Sequence, residues 1–493
     1  MTTSTDAAPG PHANRGPAMT PTATDRPTFT IETFGTDYIP PELRKSSPRD
    51  LRAILFGGSL TFSVIIMGFL PITFGLGWWQ AASAVVVGSA LGAALLAPTG
   101  VIAPRTGTNN PVSSGAFFGV GGRLIGTVLE AVASLIFAAL SIWTGGAALV
   151  GAISRLFAIE NTDVIELVCY GVMAIVVTTV SVFGHALMIA VQRFMIPTAG
   201  LCLIAGVFVY AGDFDSSYAG GDYLFGSALN TWVTSVLLVA STTLSYGPYS
   251  GDWTRHISPA AHSDASILRA LFFGGLFGLG GPFMWGTFIG VCLFSTGITD
   301  GDMVAGLMQT APAWFLPALV FLGLASGTAQ AVINTYGTGL DTSSLIPSLS
   351  RAKATFVACL VATGLVYLGH FYDSLETTVT TVLTLLANFA VPWIVMLVIG
   401  HRRNGLVYDV RALQVFNRGE TGGRYWYTGG FNVIAVGIWA LAAAVGMFFA
   451  SNTWFVGPGS RMLDGLDIGF VLAGLTAAAL YATLGNSAPA HEQ

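Results

Sequence analysis

Between residues 53 and 486 the chain runs through twelve apolar segments, each near the about 20 residues that a helix needs to cross a bilayer, joined by short polar connections. That pattern does not suit a water-soluble protein. Hydrophobic residues make up 53% and charged residues 9% of the 493, and the mean hydropathy is +0.69. A soluble domain carries roughly 25% charged residues, so this chain lacks the groups to solvate its own surface. In lipid every backbone amide must find a partner inside the protein, and apolar runs of this length do so as helices. The expected fold is an all-α integral membrane protein with 12 transmembrane helices. A net charge of −5 and a pI near 5.8 argue against a nucleic-acid partner, which wants a basic face. Cys169, Cys202, Cys292 and Cys359 lie far apart inside apolar segments and are expected to be buried hydrophobes.

Charge orients the chain. With the N-terminus on the cytoplasmic side, all of the 20 Lys and Arg fall at inner loops or helix ends except Arg155 and Arg461. The positive-inside rule favours that orientation and an even number of spans, which puts both termini in the cytoplasm of a plasma (inner) membrane protein. The other side is acidic, with Asp213, Asp215, Asp222, Asp300, Asp302 and Asp373. Residues 1–52 are polar, rich in Pro, Thr and Ala, and lack the apolar core of a cleavable signal, so a disordered cytoplasmic tail is expected there and a short one at 487–493.

The spans also repeat. Residues 53–212 hold five and residues 227–400 hold five that begin in the opposite orientation, a 5+5 inverted repeat, with two further spans in 429–486. The first helix of each half carries breakers: Gly57, Gly58, Ser59, Gly68 and Pro71 in span one, and Ser245-Tyr246-Gly247-Pro248 in span six. Bilayers tolerate broken backbone only where it lines an enclosed cavity, so matched breaks predict a binding site between the halves. The alternative is that these residues serve helix packing.

Four segments carry a resemblance that covers about residues 40–440: Pro40-Pro41-Glu42-Leu43-Arg44-Lys45; Pro104-Arg105-Thr106-Gly107 through Phe117-Phe118-Gly119-Val120-Gly121-Gly122; Ser245 through Asp252; and Ala329-Gln330-Ala331-Val332-Ile333-Asn334-Thr335-Tyr336. They resemble the nucleobase-cation-symport-1 transporters, in particular the purine-cytosine permease branch. The resemblance implies a sodium-symporter-like fold with broken helices 1 and 6, a bundle that rocks against a scaffold, and cation-coupled import of a nucleobase or related heterocycle. Phe137 falls where the family often has a stacking tryptophan, Tyr246 where some relatives have a second aromatic, and Asn334 on the family's span-eight asparagine.

The chemistry of such a cargo fits these residues. A flat neutral ring needs an aromatic face to stack on, and partners for its polar edge. A carboxamide offers an acceptor and two donors, which suits Asn334, and Gln330 stands one helical turn earlier on the same face. Ser245, Ser141 and Ser63 are further candidate substrate contacts. No cofactor is expected, only a coupling ion. Sodium prefers oxygen ligands, and Ser326 and Thr328 are the available span-eight hydroxyls, although Gly327 separates them where some relatives have an adjacent pair. A proton needs a titratable group in the membrane; Glu130 in span three is the most deeply placed acid, and Asp252 at the end of span six could act with it or as a gate. Asp341 and His185, at inner helix ends, are expected to face solvent. Allantoin, hydantoins and the pyrimidine moiety of thiamine suit the same residues as cytosine, uracil or purines. A channel would show a continuous polar stripe, and an enzyme a constellation such as HExxH, and neither pattern is present. The protein is expected to work as a monomer in the bilayer, with a small heterocycle as its only partner.

Overall fold

The structure, a computed structural model, describes residues 37–485 except residues 184, 300, 347–348 and 373–374. Residues 1–36 of the tail expected at 1–52, the tail expected at 487–493, and Asp300 and Asp373 lie outside the described residues. Among the described residues nine helices are long and apolar enough to cross a membrane: Trp78–Thr106, Leu124–Phe157, Asp163–Ser181, Leu187–Asp213, Ala228–Thr254, Asp264–Ser295, Leu316–Thr342, Ala352–Phe371 and Thr381–Arg403. A tenth is the pair Pro48–Ser59 and Phe62–Thr73, bent by 61°. The shorter apolar helices Val433–Phe448 and Gly469–Leu484 bring the described total to twelve, numbered below as spans one to twelve in chain order. Each of these last two has 16 residues and so measures about 24 Å, short of a full bilayer core.

Helices that each cross a bilayer and follow one another along the chain must alternate in direction, which defines an N-terminal face and a far face. The chain reaches the N-terminal face earlier than expected. Span one starts at Pro48, and residues 38–47 are not a free tail but a strap. Ile39 N donates to Gly107 O (2.9 Å), the Arg44 guanidinium donates to Ile39 O and Pro104 O (both 2.7 Å), and Ser46 N donates to His256 O (3.0 Å). Gly107, at φ 67°, leaves the room that Arg44 needs.

The break in span one comes where Gly57, Gly58 and Ser59 weaken the helix. Leu60 (φ −80°, ψ 54°) and the extended Thr61 (φ −139°, ψ 153°) separate its halves. The expected counterpart in span six is much weaker. Only Ser245 interrupts the ladder, at right-handed helical angles (φ −60°, ψ −20°), and the segment runs on as one span. Pro248 is the third residue of the new helix Tyr246–Thr254, where a missing N–H costs little, and Gly247 O accepts from Asn110 Nδ2 and Ser250 Oγ (both 2.9 Å). Gly68 and Pro71 do not break span one either, since both sit inside Phe62–Thr73.

Packing explains Gly68. The outer half of span one runs along span seven, as span two does along span six and span three along span eight. A Cβ on Gly68 would overlap the Phe283 carbonyl, one on Gly286 would overlap the Ile65 carbonyl, and Thr287 Oγ1 donates to Gly68 O (2.7 Å). Between membrane helices, small residues allow such backbone approach and the dispersion contact that comes with it. Gly286→Ala is therefore expected to cost about 1–3 kcal/mol, seen as a lower melting temperature of the purified protein, and unchanged melting would contradict this approach. Spans ten, eleven and twelve pack on one another beside the repeat.

Candidate functional site

Phe137 of span three and Tyr246 of span six meet in the middle of the molecule, with ring centroids 6.1 Å apart and planes inclined by 37°. Both are buried, and Tyr246 also packs on Tyr249 (5.1 Å) and Trp253 (6.0 Å) of its own helix. Sandwiching a flat ring between two aromatic faces takes about 7 Å, so the pair is closed on itself in this conformation. Span eight supplies the polar edge. Gln330 Nε2 donates to Tyr246 Oη (2.7 Å) and Asn334 Nδ2 donates to Gln330 O (3.1 Å). Gln330 Oε1 and Asn334 Oδ1 are buried and make no hydrogen bond. Turning either amide over still leaves each side chain with one unused polar end. Ahead of them, residues 322–326 form a π-helical turn, a widening often found beside functional sites.

Ser141 and Ser63 complete the same locus. Their hydroxyls are 3.1 Å apart, Ser63 is 3.4 Å from Thr61 Oγ1 at the break of span one, and Ser141 Oγ donates to Phe137 O (2.7 Å). Ser245 does not join them, because its hydroxyl donates to Thr242 O (2.7 Å) and the residue faces Leu129, Ala133 and Leu383 in a narrow gap between spans three and ten. Ser326 Oγ donates to Leu322 O, and Thr328 Oγ1 to Leu324 O (2.7 Å) while lying 3.9 Å from Met173 Sδ. Two residues apart on a helix, these hydroxyls point in divergent directions, and each is engaged by its own helix.

A cavity of about 1110 Å³ lies between this locus and the far face. Leu70, Thr73, Trp143, Tyr170 and Thr384, from spans one, three, four and ten, and Phe225, in the connection just before span six, are among its walls. The N-terminal side is sealed. There Glu130 and Asp252 are fully buried together with Arg123, Arg255 and Asp341. Asp341 thus does not face solvent as expected from its place at a helix end, and the His185 side chain lies outside the described residues. Gly337 makes room for the carboxylates: a Cβ there would stand 3.2 Å from Asp252 Oδ2 and 3.4 Å from Glu130 Oε1. Arg255 Nη2 donates to Tyr336 Oη (3.1 Å), and Arg123 Nη2 donates to Asn417 Oδ1 (2.6 Å) with its guanidinium 4.6 Å from the Phe416 ring centre.

Sequence reasoning passed over Gln192. It is fully buried in span five, donates from Nε2 to Ala329 O (2.9 Å), and has an unbonded Oε1 near Gly58. A lone glutamine in an apolar run was the available signal. Asn110 was also missed; it serves the span-six interruption from the first residue of the short helix Asn110–Phe118.

The model of the family described as permeases for cytosine/purines, uracil, thiamine and allantoin matches residues 38–473. The chain belongs to this family. The permease is 24% identical over 472 residues to the Bacillus subtilis (strain 168) protein YxlA, whose name places it among purine-cytosine permeases; the match covers 92% of this chain and 96% of that one. Among solved structures it is similar to Mhp1, a nucleobase-cation-symport-1 family transporter in a closed conformation with bromovinylhydantoin bound. The TM-score is 0.69 at 19% identity, over 93% of this chain and 97% of Mhp1. MhsT in complex with L-phenylalanine follows the same fold at TM-score 0.56 and 13% identity, over 88% of this chain and 99% of MhsT. The permease is thus a membrane transporter by family, not an enzyme, and it shares the fold of Mhp1 and MhsT.

Proposed function

We propose that the permease imports a flat, neutral heterocycle of the nucleobase class by cation symport, binding it between Phe137 and Tyr246 with its polar edge on Asn334 and Gln330. The observation that carries this reading is the pair of buried, unbonded carboxamide ends beside two aromatic rings, under a cavity that opens to one face. An unsatisfied buried polar group costs about 1–3 kcal/mol, and a ligand with N–H and C=O groups along one edge removes that cost. Ser141, Ser63 and Gln192 close the polar rim, while Ser245 is left out because its hydroxyl serves its own helix.

Lys and Arg placement assigns the N-terminal face to the cytoplasm and the cavity to the outside of a plasma membrane, so this conformation faces outward. The bound ring would part Phe137 and Tyr246 to about 7 Å. Rocking of the bundle then closes the outer cavity and opens the sealed inner end, and each ligand drives the change only through its differential affinity for the two states. A channel is disfavoured because the path is blocked twice, at the aromatic pair and at the buried charges below it.

The test is thermal stability of the purified permease against cytosine, uracil, adenine, allantoin, a hydantoin and the thiamine pyrimidine, each with and without sodium. A ligand at 100 times its Kd stabilises by about 2.7 kcal/mol. One or more of these rings is expected to raise the melting temperature, and no shift from any of them would contradict the proposed site.

A further inference from the structure

The three carboxamides around the ring site all turn the same kind of atom inward. Asn334 Nδ2 donates to Gln330 O (3.1 Å), and Gln192 Nε2 donates to Ala329 O (2.9 Å). A backbone carbonyl only accepts, so each of these amides must keep its nitrogen on that carbonyl, and turning either over would set oxygen against oxygen. Gln330 Nε2 is engaged by Tyr246 Oη (2.7 Å), which leaves its oxygen as well. Asn334 Oδ1, Gln192 Oε1 and Gln330 Oε1 are buried and make no hydrogen bond. We propose that the permease selects its cargo by an exocyclic amino group, and that Gln192 is a residue that determines this preference. The inference rests on the transport reading above and narrows its substrate class to amino-substituted rings such as cytosine and adenine.

Two of the oxygens converge from different spans. Gln330 Oε1 on span eight and Gln192 Oε1 on span five stand 3.1 and 3.5 Å from the place that a Cβ on Gly58 would take, at the break of span one. Gln192 has little room to withdraw, because a Cβ on Gly57 would overlap its backbone carbonyl (2.3 Å), so span five lies directly on span one there. Unbonded oxygens gathered in a buried site are costly, and only a donor removes that cost. An amino group carries two hydrogens on one nitrogen and serves two oxygens at once. A ring N–H serves one, and in uracil or a hydantoin the imide N–H is flanked on both sides by C=O groups, which would face the carboxamide oxygens.

The acceptors of such a ring have a partner too. Among the described residues the Ser63 hydroxyl has only the hydroxyls of Ser141 and Thr61 within bonding distance (3.1 and 3.4 Å), so it is able to turn its hydrogen towards a ring nitrogen or carbonyl of the cargo. A site that bonds a particular group rejects the analogue without it, because the site's own polar atoms are then left unpaired. Loss of a structural contact weakens every ring alike, whereas loss of the Gln192 acceptor weakens the amino ring above the others. The ratio between matched rings therefore reads the role of Gln192 apart from its packing.

Calorimetric titration of the purified full-length permease with matched rings tests this. Cytosine is compared with uracil, which has C=O in place of the amino group, and with pyrimidin-2-one, which has hydrogen there; adenine, hypoxanthine and purine repeat the comparison. Cytosine or adenine is expected to bind at least ~10-fold more tightly than both of its counterparts. Gln192→Met, which keeps the length of the side chain without its acceptor, should bring that ratio below ~3-fold. Counterparts that bind as tightly as the amino rings would overturn the inference and leave the transport reading in place. A ratio that Gln192→Met leaves unchanged would overturn the role of Gln192. Should that variant not fold, the wild-type comparison decides whether an amino group is selected. Binding of none of the six rings would contradict the transport reading itself, and the inference falls with it.

Discussion

Asn334→Ala is expected to weaken uptake by roughly 10–100-fold while leaving the fold intact. The side chain is fully buried, and its one hydrogen bond is to Gln330 O a turn earlier on the same helix, so it contributes little to holding spans together. Its free Oδ1 is what a substrate N–H would engage, and losing one buried hydrogen bond of this kind costs about 1–3 kcal/mol. Uptake and melting temperature should be measured together. Lost uptake with unchanged melting supports the site, and near-normal transport removes Asn334 from it.

Substituting Tyr246 separates stacking from hydrogen bonding. Tyr246→Ala deletes a ring that packs on Phe137, Tyr249 and Trp253, leaves a cavity, and is expected to abolish transport along with about 3–5 kcal/mol of stability. Tyr246→Phe keeps the ring and loses only the bond from Gln330 Nε2, a change of about 1 kcal/mol or roughly 5-fold in uptake. Equal losses in the two variants would show that the hydroxyl, not the ring face, holds the substrate.

What the sequence makes legible here is what lipid makes obligatory. Apolar length and the placement of Lys and Arg yield the spans and their alternation, because neither can be compensated by tertiary contacts. The break in span one was legible for a similar reason, since Gly57 and Gly58 weaken a helix wherever they stand. In span six the interruption falls at Ser245, just ahead of the Gly247-Pro248 pair, and it is milder than the pattern suggests because the segment is supported from outside: Asn110, 137 residues away in sequence, donates to the Gly247 carbonyl. Gly68 was likewise read as a breaker when its neighbour is the Phe283 backbone, a contact that no local pattern encodes. Phe137, Tyr246, Gln330 and Asn334 come together in the structure, yet Ser245 turns away because a residue's neighbour on a helix points about 100° elsewhere. Asp341 was taken for a solvated helix end. Only the packing of spans three, six and eight shows that it is buried with two other acids and two arginines.

The measurement that most directly tests the central claim is an experimental structure of the permease with whichever heterocycle stabilises it. The account predicts the ring between Phe137 and Tyr246, their centroids spread from 6.1 Å to about 7 Å, with Asn334 and Gln330 bonded to its edge. A ligand lodged instead among Trp143, Tyr170 and Phe225 in the outer cavity, with the aromatic pair still closed, would contradict it.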